Sequence, residues 1–160
     1  MKVLSLLLGI CLLSSVAICQ NKFTIATPAG WQRRDTAING FKTTMLIAPA
    51  APNAFHPNLN VVSEFMRGTT LEAYFSQNIS VMGQYMQGFV AGKKGDREIA
   101  GVPAKWMAYS QNPNGVALDA LFYVVPKDGV AYIITCTVAK GELEKSRAKF
   151  EEIIHSFKFL

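Results

Sequence analysis

Three long apolar runs, residues 102–109, 116–125 and 130–138, follow one another with only Asn112-Pro113-Asn114-Gly115 and Pro126-Lys127-Asp128-Gly129 as interruptions. Both interruptions are reversals: Pro presets φ for a turn, Gly reaches the left-handed region, and Asn and Asp close on their own backbone. β-branched and aromatic residues dominate the runs, so they read as strands, and strands joined by tight reversals pair antiparallel. In the middle run Val116, Leu118, Ala120, Phe122 and Val124 occupy one face, while Ala117, Leu121, Tyr123 and Val125 occupy the other. A strand apolar on both faces belongs inside a sheet covered on both sides.

Two stretches supply the cover. Gly68 leads into Thr69-Thr70-Leu71-Glu72, a capping-box pattern in which a threonine oxygen takes an orphan amide and the glutamate reaches back to the cap. Leu71, Tyr74, Phe75, Met82, Tyr85 and Met86 then recur at helical spacing, which predicts a helix to about Gln87. Towards the end of the chain Leu143, Phe150, Ile153, Ile154 and Phe157 share a face opposite Glu144, Lys145, Lys149, Glu151 and Glu152, which makes 141–157 an amphipathic helix. Weaker signals mark an extended segment at 23–27 and strands at 41–48 and 59–66, these two flanking a loop with Pro49, Pro52 and Pro57. Short strand signals stand around Phe89-Val90 and Glu98-Ile99. The expected fold is α+β, an antiparallel sheet of about six strands sandwiched between helices, in one domain spanning 20–160.

The first residues read differently. Lys2, an apolar run over 3–13 and small residues up to Cys19 have the layout of a secretory signal peptide, residues 1–19, with Ala17 and Cys19 placing cleavage before Gln20. Lipid attachment at Cys19 is the rival, supported by Val16 and Ala17 and opposed by the bulk of Ile18; a retained anchor is the third reading. The processed chain is expected in the periplasm or outside the cell, with no transmembrane span. Loss of Lys2 lowers the formal charge by one from +5, and the remaining cations are scattered, with pairs only at Arg33/Arg34 and Lys93/Lys94. No sustained basic tract serves a nucleic-acid backbone, which leaves at most a weak contact with anionic surfaces. Cys136 is the one cysteine outside the leader; it has no base nearby and sits in a strand, as a core thiol does.

Four short motifs, Pro28-Ala29-Gly30-Trp31, Pro57-Asn58-Leu59-Asn60-Val61, Ile99-Ala100-Gly101-Val102-Pro103-Ala104 and Phe150-Glu151-Glu152-Ile153-Ile154-His155-Ser156-Phe157, stand in the order in which the PsbP/DcrB-like family has them, and nearly the whole chain after the leader resembles that family. The resemblance implies an antiparallel sheet between helices and a non-enzymatic accessory or binding role, as in extrinsic subunits of photosynthetic complexes, a nuclear-import factor and bacterial envelope proteins. It carries no catalytic motif.

A direct search for chemistry gives bland readings. Gly88-Phe89-Val90-Ala91-Gly92-Lys93-Lys94 is one residue short of a phosphate loop between its glycines and lacks the hydroxyl after the lysine, so it reads as an exposed basic turn. Ser146 and Lys149 have the serine–lysine spacing of penicillin-recognising enzymes but lie in a helix without the companion motifs. His155 suits the last turn of the final helix, and Glu64 and Asp119 are expected to face cross-strand cations such as Lys42 or Lys105. Trp106 reads as core. No catalytic, metal or cofactor residue is assigned. By elimination, partner contact falls to irregular segments before and after the first long strand, to Trp31, Arg33, Arg34, Phe55 and His56, with the alternative that Trp31 plugs one end of the sheet and the arginines are solvated. The functional expectation is an exported, non-enzymatic binding protein with an unidentified protein partner; the alternatives are a small-ligand or lipid carrier and a divergent enzyme.

Overall fold

In the computed structural model, which describes residues 22–160, the three apolar runs become adjacent strands of a seven-stranded antiparallel sheet. The expected leader and its cleavage point before Gln20 lie outside the described residues. In chain order the elements are β1 (Phe23–Thr24), β2 (Gln32–Ile38), β3 (Phe41–Ile47), β4 (Asn58–Phe65), α1 (Leu71–Tyr85), β5 (Val90–Ile99), β6 (Val102–Gln111), a 3-10 turn at Pro113–Gly115, β7 (Leu118–Lys127), β8 (Val130–Ala139), α2 (Leu143–His155) and β9 (Lys158–Phe159). The large sheet runs β2-β3-β4-β8-β7-β6-β5, and β1 pairs with β9 in a separate two-stranded ribbon.

The two-faced composition of β7 explains the layering. Leu121, Tyr123 and Val125 join Tyr132, Ile134, Cys136 and Val138 of β8 under Phe150, Ile153 and Ile154 of α2. On the opposite face Ala120, Phe122 and Val124 join Met107 and Tyr109 under Tyr74 and Phe75 of α1. Each helix therefore covers one face, but only over part of the sheet. The β2–β3 side projects beyond them as a wing, and every residue of β2 is exposed. Full burial of side chains of this size contributes roughly 1.5–3 kcal/mol each, so the two clusters around β7 dominate stability.

Four expectations change. The sheet has seven strands rather than about six, because β2 adds a strand where an irregular segment was expected. Its sequence Gln-Arg-Arg-Asp-Thr-Ala-Ile has no apolar alternation; pairing with β3 across the two-residue turn Asn39-Gly40 organises it, with φ of 50° and 83° as a mirror-image hairpin turn requires. The two weak signals around 89–99 are the ends of one strand, β5, whose polar middle is tolerated at a sheet edge. The Gly88–Lys94 segment is accordingly mostly strand and not a turn; its register slips between Ala91 and Lys94, and Gly92 passes so close to β6 that a Cβ there would stand 2.8 Å from the Ala108 carbonyl oxygen.

The first helix also starts one residue later than the capping box places it. Thr70 is the N-cap and accepts from the Ala73 amide at 3.2 Å, while Glu72 turns away to pair with Lys105. Replacing Thr70 with alanine should cost about 1 kcal/mol in urea unfolding; no loss at all would return the cap to Thr69.

Candidate functional site

The loop between β3 and β4 is pinned at its neck by the Ala48 amide on the Pro57 carbonyl at 2.8 Å, and the His56 ring nitrogen Nδ1 bonds the Ala48 carbonyl at 3.0 Å. A carbonyl only accepts, so Nδ1 is the donor of this bond and the ring orientation is fixed by it. Beneath this loop lies a cavity of about 540 Å³. Its roof is Ala48, Pro49, Ala54, Phe55 and His56, and its floor is Gln32, Arg34, Met45, Ile47 and Asn58.

Strand register builds the floor. Gln32, Ile47, Asn58 and Thr137 lie side by side across β2, β3, β4 and β8, and Arg34, Met45, Asn60 and Thr135 form the next row on the same face, the one that α1 covers further along. From the edge inwards each row passes from a long polar side chain to an apolar one, then an amide, then a hydroxyl. The asparagines are linked, Asn60 Nδ2 donating to Asn58 Oδ1 at 3.3 Å and Asn58 Nδ2 to the His56 carbonyl at 3.0 Å, but Asn60 Oδ1 is buried with no partner among the described residues. A shielded acceptor without a donor is a costly feature in a folded protein.

The five residues assigned from the sequence divide between the two faces. Arg34, Phe55 and His56 line the cavity together. Arg34 donates to Gln32 Oε1 at 3.4 Å, and among the described residues no carboxylate is within ion-pair distance of it. Arg33, on the other face, makes two bonds to Asp35 at 3.0 and 3.3 Å and a third to the Ile25 carbonyl. Hydrogen bonds from Arg33 and then Thr44, the latter at 2.6 Å, hold the Asp35 carboxyl below the usual range. Trp31 is half-buried with its ring edge-on to Phe150, 6.3 Å between centroids, and with Pro57, Lys145 and Lys149 borders a shallow depression of about 230 Å³. The sequence missed Gln32, Met45, Ile47, Asn58 and Asn60. Their one signal was asparagine at alternate positions of a strand, where that residue is disfavoured.

Elsewhere several polar residues are committed. Asp119 accepts from Ser110 Oγ at 2.7 Å and from the Gly141 amide at 2.8 Å, not from a cross-strand lysine; Lys105 instead pairs with Asp96 and Glu72. Burial raises the Glu64 carboxyl against the attraction of Arg67. Lys149 pairs with Glu152, and His155 bonds the Glu151 carbonyl in the last turn of α2. Trp106 packs with the α2-side core, while Tyr109, pushed up to about 12 by burial, lies in the opposite cluster.

Residues 38–159 match the family model described as PsbP-like protein. The chain belongs to the PsbP-like family. Solved structures agree with that membership. A Pseudomonas aeruginosa protein of unknown function, described as a putative regulator, superposes with a TM-score of 0.66 at 15% identity, over 84% of this chain and 94% of that one. LpqN of Mycobacterium tuberculosis, involved in cell envelope biogenesis, gives 0.63 at 13% identity over 85% and 82%. The cyanobacterial PsbP of Synechocystis gives 0.60 at 15% over 87% of both chains. At such identities the likeness is one of fold. No curated protein matches in sequence. The cavity of this PsbP-like chain rests on strands inside the matched region, with β2 completing it mostly from before residue 38.

Proposed function

We propose that this PsbP-like chain is an exported, non-enzymatic accessory protein that binds a partner protein on its β2–β3 wing, with the Phe55/His56 loop and Arg34 at the contact. One observation carries the reading: a cavity of about 540 Å³ combines an apolar lining of Met45, Ile47 and Phe55 with a cation that no carboxylate of the described residues neutralises. Arginine and aromatic side chains at the centre of a desolvated patch are the residues that most often dominate interface energies. The leader-like first residues and the envelope role of LpqN favour action in the envelope or outside the cell.

A photo-crosslinking residue at Phe55 in the exported protein should give a discrete heavier species on illumination, reduced several-fold by Arg34→Glu. The same probe at Glu152, on the exposed side of α2, should give none. Adducts from Glu152 alone, or none from Phe55, sink the proposal. The carrier reading is favoured by the same volume, which falls within the roughly 300–1,000 Å³ of small-molecule sites. Native mass spectrometry of the exported protein decides between them, since a carrier retains a bound small molecule. The enzyme reading ranks last because, among the described residues, no carboxylate, thiol or hydroxyl side chain lines the cavity beside His56.

A further inference from the structure

The two edges of the large sheet are built in opposite ways. β5 carries a register slip, Gly92, Gly95, Lys93 and Lys94, features that prevent another strand from pairing with it. β2 has none of them: it is regular over its whole length, contains no Pro, Gly or Lys, and all seven of its residues are exposed. Its one internal ion pair, Arg33 with Asp35, cancels on the α2 face and leaves Arg34 as the uncompensated charge on the other.

The register shows which backbone groups are on offer. Even-numbered residues of β3 bond to β4, as the Ala48 amide on the Pro57 carbonyl shows at the next position, so the odd-numbered ones bond back to β2. Their partners are Gln32, Arg34, Thr36 and Ile38. Arg33, Asp35 and Ala37 therefore point their N–H and C=O groups away from the sheet, and among the described residues none of these groups has a backbone partner. A strand added here meets Arg34 at a non-bonded position, where facing side chains stand closest, about 4.5 Å between Cα atoms. Four residues along, on the same face, it meets Ile38, which is 46% exposed.

We propose that β2 accepts an extended acidic segment of the partner protein as an additional edge strand, with an acidic residue facing Arg34 and an apolar residue four positions away facing Ile38. The inference rests on the partner-binding reading of the wing and specifies its geometry. Main-chain bonds supply affinity and the alternate side chains supply selectivity, as in other strand-addition complexes.

The probe is a fluorescent peptide of threonines carrying one glutamate and one valine four positions apart, titrated by anisotropy against its lysine-for-glutamate counterpart. The glutamate peptide should bind saturably, and the lysine peptide roughly tenfold more weakly. Ala37→Pro removes an outward N–H and no bond to β3, a position where an edge strand tolerates proline. It should weaken binding roughly fivefold to tenfold, the worth of one lost hydrogen bond and its neighbours, while the thermal midpoint stays within a few degrees. On binding, amide exchange should slow at Arg33, Asp35 and Ala37 but not at Thr36. Arg34→Gln, which leaves the backbone untouched, should abolish the preference for glutamate and serves if Ala37→Pro unfolds. Equal binding of the two peptides, unchanged exchange at the outward amides, no saturable binding, or a self-paired dimer broken by Ala37→Pro would each overturn the proposal. Persistence of the Phe55 crosslink in Ala37→Pro would leave the partner reading standing and remove strand addition alone.

Discussion

Native protein should label at Cys136 at least a thousandfold more slowly than the urea-unfolded chain when both are mixed with a thiol reagent at neutral pH. Cys136 is 0% exposed; its strand lies between Leu59 of β4 and Leu121 of β7 and its side chain lies under α2, so a reagent reaches it only when α2 leaves the core or the sheet parts. Burial first, and the nearby Glu151 second, push its pKa well up, which suppresses the reactive thiolate even in fluctuations that admit water. Labelling then requires global unfolding, and an ordinary stability of about 5–15 kcal/mol limits the open population to less than roughly one molecule in a thousand. Rates within tenfold of each other in the two states would mean that β8 is not a central strand.

Phe150→Ala should remove about 3–5 kcal/mol and lower the thermal midpoint by roughly 10–20 °C. The ring is 0% exposed, with Trp31 edge-on to it at 6.3 Å, and together with Ile153 and Ile154 it attaches α2 to the sheet. The resulting cavity cannot close, because β7 and β8 beneath it are fixed by pairing on both sides. Trp31→Ala should cost less, since its ring is only partly buried, and should leave the Phe55 crosslink intact because it lies on the opposite face from the cavity. A loss under about 1 kcal/mol for Phe150→Ala would detach α2 from the core.

What was legible in the sequence follows the distribution of apolar side chains. β7 and β8 declare themselves because both faces are buried, and α2 because its stripe is continuous. β2 was invisible for the converse reason: it buries nothing, so no side-chain pattern marks it, and its existence depends on a partner strand across the Asn39-Gly40 turn. The middle of β5 escaped for the same reason. Phe55 and His56 could be singled out as loop residues without a packing role, but which strand positions stand beneath them depends on register between strands remote in sequence. Arg33 and Arg34 looked equivalent as neighbours. The alternation of a strand sends one to Asp35 and the other to the cavity, a division that appears only once that segment is known to be extended.

The small ribbon of β1 and β9 has a mechanical consequence. Phe23 pairs with Phe159 and the Leu160 amide bonds the Lys22 carbonyl at 3.0 Å, so the two ends of the described chain leave the fold side by side. Tension applied between these ends opens the ribbon one bond at a time, as a zipper, instead of shearing all its bonds together. The first resistance comes from the stacked rings of Phe23 and Phe157, 5.2 Å apart, and the large sheet bears no load until that clasp has parted.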